Sequence, residues 1–494
     1  LVASGQVPYH DFFEVHTPLF YYLAGWLIDP ASANFDTVIN FRWLSLAAHL
    51  AALGLVALLA GQVSRAVGVV ALVFMLTDIF SFAWGSLVFL DSFAAPCVLA
   101  SAIVMARWPD GRRAHVLTGV LLGTAVMLTQ KAVFPALAPI CLTLVRAPHR
   151  PAGGFGRFGG VLLLAAGGLL PCVAVAGLLG TDGVAAFWHH VLVLSATWKA
   201  RRWPIGEAFL VASYALPAWL LAGQGMVAAL RRGSALASLP APVLTPAVYL
   251  ATLALGVLAL PVVWYEYFIE IGPFVAVMAA IVAVDAARLA GWLRGRLVLL
   301  PSAPSEYRYA IGAVVGGTLA SLALRLGSAH YSPSPSIVQL VVALLAIGVA
   351  LVSAARGRRA GQGVAVVAAV LLAASVLPLM YQLTWLDRRG LGSQREAVDL
   401  VMRRVDPAAT VFDGYSGFGV FRQHAYLYWL LHDETVQMLS PTERGQDIIA
   451  ALRDRRVQVA IRDEFTRLLE PEVQEFLDQH FQPVAGGPIW VRRD

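Results

Sequence analysis

Within the opening stretch GQVPYHDFFEVHTPLFYY (Gly5–Tyr22), His10, Asp11, Glu14 and His16 bring two carboxylates and two imidazoles together among aromatic side chains. These are the usual proton carriers of hydroxyl and phosphate chemistry: a carboxylate takes a proton from a hydroxyl, and an imidazole passes one on. Pro8 and Pro18 bracket the stretch. Neither suits a helix interior, so a loop is expected. Two readings are open. The stretch is a reactive or ligand-binding loop, or it is an interfacial loop with aromatic anchors and solvated charges. Composition alone favours the second.

Asp91 and Lys131 stand in apolar surroundings, in LVFLDSF and LTQK. Ionisable groups at membrane depth are costly, which makes them functional candidates. The plainer alternatives are helix capping for Asp91 and snorkelling for Lys131. Only two of the 36 basic residues are lysines, Lys131 and Lys199, so an ammonium is unusual in this chain. Trp188-His189-His190 and Lys199-Ala200-Arg201-Arg202-Trp203 form a basic, aromatic segment. It suits a phosphate or anionic headgroup, or a helix lying in the interface. Tyr265-Glu266-Tyr267 opens a later apolar run, and Asp78 closes an early one. No phosphate-loop, dinucleotide or zinc motif is present. Cys97, Cys141 and Cys172 lie in apolar runs without metal-ligand spacing and read as small core residues.

The elements that must position these groups follow from composition. The chain is 59% apolar and only 13% charged, with mean hydropathy +0.71, whereas soluble domains carry about 25% charged residues. Apolar runs recur, long enough to cross ~30 Å of hydrocarbon as helices. Spans are expected near 42–61, 66–80, 87–106, 116–129, 132–145, 158–180, 208–230, 243–261, 268–286, 310–326, 336–354 and 363–384. The pair meeting at Thr129–Lys131 is one bent helix or two half-spans. With residues 1–41 outside, arginines fall in successive internal loops: Arg65; Arg107, Arg112 and Arg113; Arg146, Arg150 and Arg157; Arg231 and Arg232; Arg288, Arg294 and Arg296; Arg356, Arg358 and Arg359. That alternation obeys the positive-inside rule and explains the net charge of +6 without nucleic acid. The expected architecture is therefore a polytopic α-helical membrane protein of about twelve visible spans. It comprises an external loop (1–41), a transmembrane domain (42–386) and a small extracytoplasmic α/β domain (387–494). In the last, helices are expected at Gln394–Val405, Thr442–Arg455 and Glu464–His480, and strands at Thr410–Phe412, Val457–Ile461 and Ile489–Val491.

The opening loop resembles the first external loop of GT-C membrane glycosyltransferases, in particular the protein O-mannosyltransferase-like and lipid A aminoarabinose transferase-like enzymes. The shared pattern is small residue, aromatic, acid, aromatic pair, then polar-Pro-Leu-aromatic. Asp91 near the start of an early span, the Gly119–Lys131 segment, Tyr267 ahead of Pro273 and the terminal α/β domain agree in order. The resemblance implies an inner- or plasma-membrane enzyme that moves a hexosyl or pentosyl unit from a polyprenyl-phosphate donor to a glycan, lipid or protein acceptor on the outer face, with inversion. It implies catalytic roles for Asp11, Glu14 and Asp91. Donor phosphate would meet His16, Lys131, Lys199, Arg201 and Arg202, and substrate would meet Tyr9, His10 and Tyr267. Membrane lipids are expected partners. A divalent cation, Mg²⁺ or Mn²⁺, is left open, because no complete ligand set is visible. In the family the principal acidic pair follows the first span, which would precede Leu1, so the chain is expected to lack an upstream segment. The aminoarabinose-type loop has Lys where this chain has His16. The alternatives are a transporter or flippase for a lipid or glycan intermediate, and a catalytically silent membrane subunit.

Overall fold

The computed structural model describes residues 1–30, 32–77, 88–146, 157–194, 216–230, 239–259, 267–289, 392–407, 409–429, 431–454, 457–484 and 487–493. The expected spans at 310–326, 336–354 and 363–384 lie outside the described residues, as do Asp78, Lys199, Arg201, Arg202 and Glu266. The helices of the apolar region are α1 (Leu19–Leu27), α2 (Phe35–Gly61), α3 (Arg65–Thr77), α4 (Leu90–Arg107), α5 (Arg112–Leu128), α6 (Val133–Arg146), α7 (Arg157–Phe187), α8 (Leu216–Leu230), α9 (Ala241–Ala259) and α10 (Tyr267–Leu289). Among the described residues, five helical segments are long and apolar enough to cross a membrane. The expected spans at Thr129–Lys131 are two separate short helices, of 17 and 14 residues, joined by the 3₁₀ turn Gln130–Ala132. At 1.5 Å per residue, α6 extends only about 21 Å.

The described residues divide into two compact units. One takes in Leu1–Arg42, Val173–Arg201 and Arg389–Asp494, the other Trp43–Cys172 and Arg202–Arg388. In the second, α10 is the central helix. It packs against α3, α4, α8 and α9, and Phe274, Val277, Met278, Ala279, Ala280 and Ile281 are fully buried along it. Helices α5 and α7 approach through glycines: a Cβ on Gly119 would lie 2.2 Å from Leu164 O, and one on Gly123 2.3 Å from Gly168 O. Small residues four apart let backbones close up where lipid supplies no hydrophobic drive. Leu58, Val69, Leu162, Leu169, Leu170 and Leu258 point outward, the pattern of a surface solvated by hydrocarbon rather than water. Cys141 is also exposed, contrary to its expected core position. The buried face of α6 runs through Pro135, Ala138, Pro139, Leu142 and Thr143, and Cys141 falls off it.

Helix α7 breaks at Gly180, whose φ of 69° lies in the left-handed region, which glycine enters without a Cβ penalty. The apolar helical segment runs past the expected end of the 158–180 span, to Leu194. Beyond Gly180 the chain continues to Phe187 and then into a π-helical turn, Trp188–Leu194.

The C-terminal part comprises α11 (Gly392–Arg404), β1 (Thr410–Asp413), β2 (Gln423–His424), α12 (Asp433–Met438), α13 (Ile448–Arg453), β3 (Val457–Ile461), α14 (Pro471–His480), β4 (Phe481–Pro483) and β5 (Ile489–Arg492). The sheet order is β2-β1-β3-β5-β4. Strand β1 is parallel to β2 and β3, and β5 is antiparallel to β3 and β4. Every residue of β1 is buried, as a parallel strand covered on both faces requires. Val411, Val459 and Ile461 join Val401 and Val405 beside α11 on one face. Phe412, Val457 and Ala460 join Ile448, Leu452, Val473 and Leu477 on the other. The expected helix Glu464–His480 begins later, at Pro471, after a 3₁₀ turn at Thr466–Leu468. Proline has no N–H to give inside a helix and is well placed in its first turn.

Candidate functional site

Two clusters of ionisable groups stand out, one in each unit. The first is the opening loop. Val7 N–H donates to Asp11 Oδ2 at 2.7 Å, Asp11 N–H to Val7 O at 2.9 Å, and Tyr9 N–H to Phe12 O at 2.9 Å. This closes a turn in which Tyr9 takes a positive φ of 72°, strained for a residue with a Cβ. The Tyr9 ring is buried against Phe187 and His190, and its hydroxyl donates to the carbonyl of His16. His10 is exposed and its Nδ1 lies 2.7 Å from Asp11 Oδ1. The Val7 N–H holds the Asp11 carboxyl below its ordinary value, with His10 adding to the effect.

Glu14 is almost fully buried. Its Oε1 accepts from Val15 N–H at 2.8 Å, His16 N–H at 3.1 Å and His16 Nδ1 at 2.7 Å. Burial alone pushes this carboxyl up. The bonds from His16 and from the Tyr21 hydroxyl outweigh it and hold Glu14 below the usual carboxylate range. The Tyr21 phenol is correspondingly raised, by burial and by Glu14, and keeps the proton it donates. His16 is about one-third exposed. A buried carboxylate therefore fixes its ring through Nδ1 and leaves Nε2 for a ligand.

The second cluster lies in the helical unit. Lys131, in the turn between α5 and α6, donates from Nζ to Asp91 Oδ2 at 2.9 Å. The same Nζ sits 3.9 Å over the Tyr267 ring, a close cation–π contact. Glu270, one turn into α10, is buried and interacts electrostatically with both Asp91 and Lys131. Asp91 Oδ1 and Glu270 Oε1 are buried without hydrogen-bond partners among the described residues. Both residues line a cavity of about 20 Å³ with Lys131, Phe134, Gly256 and Tyr267, room for one water-sized group.

The structure thus brings Asp11, Glu14, His16, Tyr9 and His10 together in the loop, and Asp91, Lys131 and Tyr267 together among the helices. Glu270 is the residue that sequence reading passed over. It lies inside an apolar span, which was the available signal. Among the described residues no group of three or more His, Cys, Asp and Glu side chains is arranged to hold a metal ion.

Among the described residues these features define a mostly helical fold, with five helical segments long and apolar enough to cross a membrane, and a small α/β domain. No protein-family model matches the sequence, and no curated protein does. Among solved structures the chain is similar to ArnT from Cupriavidus metallidurans, the lipid A aminoarabinose transferase. Against the apo structure the TM-score is 0.57 at 14% identity, covering 97% of this chain and 88% of that one. Against the structure bound to undecaprenyl phosphate it is 0.59 at 16% identity, covering 99% and 90%. The likeness is one of fold, and it agrees with the resemblance that the opening loop carries.

Proposed function

We propose that this chain is an integral membrane glycosyltransferase that moves a sugar from a polyprenyl phosphate to a glycan, lipid or protein acceptor on the extracytoplasmic face, with inversion. The observation that carries the reading is the oriented imidazole of His16. It is held by buried Glu14 beside the surface carboxylate Asp11, in a chain with the ArnT fold. The relative's structure with undecaprenyl phosphate supports the donor class.

In this reading the acceptor hydroxyl attacks the anomeric carbon as the bond from that carbon to the phosphate oxygen breaks. Asp11 takes the hydroxyl proton. Because it is held below the ordinary carboxylate range, it accepts late, as the new C–O bond forms. The polyprenyl phosphate leaves with the bonding pair, and His16 in its doubly protonated form, with Nδ1–H on Glu14, donates a hydrogen bond from Nε2 to the developing oxyanion. Glu14 and Tyr9 hold His16 in place, and His10 steadies Asp11. The Lys131 ammonium, with Lys199, Arg201 and Arg202, is the remaining cation supply, and Asp91 and Tyr267 hold Lys131.

The test is transfer from radiolabelled polyprenyl-phosphate sugars in membranes containing wild type, Asp11→Asn and His16→Leu. Loss of transfer in both variants at normal expression supports the assignment. Full transfer in both removes the loop from the chemistry. The buried ionic cluster at a helix break also suits a flippase. Translocation of a labelled polyprenyl-phosphate lipid in proteoliposomes, with no transfer from any donor, would favour that reading.

A further inference from the structure

We propose that the Leu427–Trp429 segment of the C-terminal domain is a brace that sets the position of the Glu14–His16 pair, with Trp429 as the positioning residue. Its catalytic consequence rests on the transferase reading; its structural content does not.

The argument begins with how the loop is held on either side of Phe13. Residues 7–12 are closed by their own turn bonds, and residues 14–16 by the bonds to Glu14 Oε1. Phe13 joins the two pieces, and both its backbone groups bond outside the loop. Its N–H donates to Leu427 O at 2.9 Å, and its carbonyl accepts from Trp429 Nε1 at 2.7 Å. Its ring is 1% exposed and packs on Tyr428 at 4.7 Å between centroids. The peptide that carries Glu14 therefore takes its orientation from residues more than 400 positions away.

The brace is itself fixed to the most buried strand of the sheet. Ala425 N–H donates to Val411 O at 2.7 Å, and Leu431 N–H to Gly414 O at 2.9 Å. Between them the Tyr426 hydroxyl donates to Glu443 O at 3.1 Å. His424 completes the anchor. Its Nε2 lies 2.9 Å from both the N and the O of Asp413, and its Nδ1 lies 2.8 Å from Tyr426 O and 3.2 Å from Tyr426 N, so one ring nitrogen donates and the other accepts. Burial lowers the affinity of this imidazole for a second proton, so it stays in the neutral form that this pattern requires. A continuous path of hydrogen bonds thus runs from β1 through the brace to Phe13, and by one peptide bond to Glu14. Trp429 contributes a donor rather than bulk alone, which is why its ring nitrogen, and not only its ring, matters.

The test is hydrogen exchange on the full chain in detergent, comparing wild type with Trp429→Phe, alongside transfer kinetics. The expected result is exchange about fivefold faster in the peptide covering residues 12–16, the loss of one hydrogen bond, with β3 protection unchanged. In transfer, kcat falls about tenfold, donor KM stays within about twofold, and the acid limb of the kcat profile moves. Unchanged loop exchange overturns the brace. Faster loop exchange with kcat and its pH profile unchanged overturns the positioning role. If Trp429→Phe also opens β3, Tyr428→Leu, which removes the ring against Phe13 and Tyr426, decides: a loop-only rise supports the brace, and no rise or a global one overturns it. If wild type transfers from no donor, the transferase reading fails while the exchange data still judge the brace.

Discussion

Replacing Lys131 by Met should destabilise the helical unit through the carboxylates left behind. The Nζ–Oδ2 distance to Asp91 is 2.9 Å, with the two side chains 10% and 4% exposed. At an effective dielectric of about 20 the attraction is about 6 kcal/mol before desolvation is counted. Desolvation offsets much of that, so the pair adds little net stability. Removing one partner is different: a buried carboxylate without its cation costs about 3–5 kcal/mol. Glu270 interacts with the same ammonium, and Tyr267 loses its cation–π contact, which places the expected loss at the upper end. In detergent, thermal unfolding followed by tryptophan fluorescence should show a melting temperature lower by on the order of 5 °C. Adding Asp91→Asn to Lys131→Met removes one orphaned charge, and at least half of the loss should return. The reasoning is refuted if the single variant melts with wild type, or if the double variant is no more stable than the single.

Glu14→Gln should cost about 1–3 kcal/mol at neutral pH, since a carboxylate with three N–H donors is replaced by a neutral acceptor. Because the folded carboxyl lies below its unfolded value, its contribution is present above about pH 4.3 and is lost as pH falls through the folded value. Wild-type melting temperature should therefore drop in that acid window more than that of the variant. Gly123→Ala places a Cβ against the backbone oxygen of Gly168 and should cost about 1–3 kcal/mol. Gly54→Ala, which meets nothing within 4 Å, should be neutral or stabilising, and parallel melts compare the two. Arg422 is 8% exposed and donates to Val405 O, Met402 O and Phe421 O at 3.2–3.3 Å. Arg422→Met leaves the C-terminal carbonyls of α11 unpaired and should cost about 2–3 kcal/mol, seen as faster proteolysis within Gly392–Arg404.

Much of the helical frame was legible because hydrocarbon leaves the chain few options: α2, α4, α7, α9 and α10 each contain or closely overlap an expected apolar run. The break at Lys131 was legible as a polar step, though not that it makes two helices. Strands β2 and β4 were missed. Gln423–His424 and Phe481–Pro483 are two and three residues long, and their pairing is set by the sheet rather than by any period of their own. In the site, sequence could nominate Asp91 and Lys131 singly but not pair them across 40 positions. It could not show that Glu14 is buried while Asp11 stays near the surface, because that difference arises from the fold around them. Nothing local marks Leu427 or Trp429, whose partner Phe13 is itself an unremarkable aromatic.

The location of positive charge separates the roles within the proposed reaction. A departing phosphate needs cations whose charge is not already spent. Lys131 is paired with Asp91 and has buried Glu270 beside it, so its charge is already engaged. It attracts phosphate only by exchanging Asp91 for it. His16 is also paired, with Glu14 on Nδ1, but its ring is about one-third exposed and presents its other nitrogen. Within the proposed reaction the first demand of the leaving group therefore falls on His16, with Lys131 entering only by partner exchange. The Lys131→Met/Asp91→Asn chain separates the two roles of the lysine, because it removes the cation while relieving the orphaned charge. If that chain regains stability and retains transfer, Lys131 serves the fold. If it regains stability but not transfer, the ammonium or its carboxylate partner acts in the reaction itself, and Asp91→Asn alone tells which.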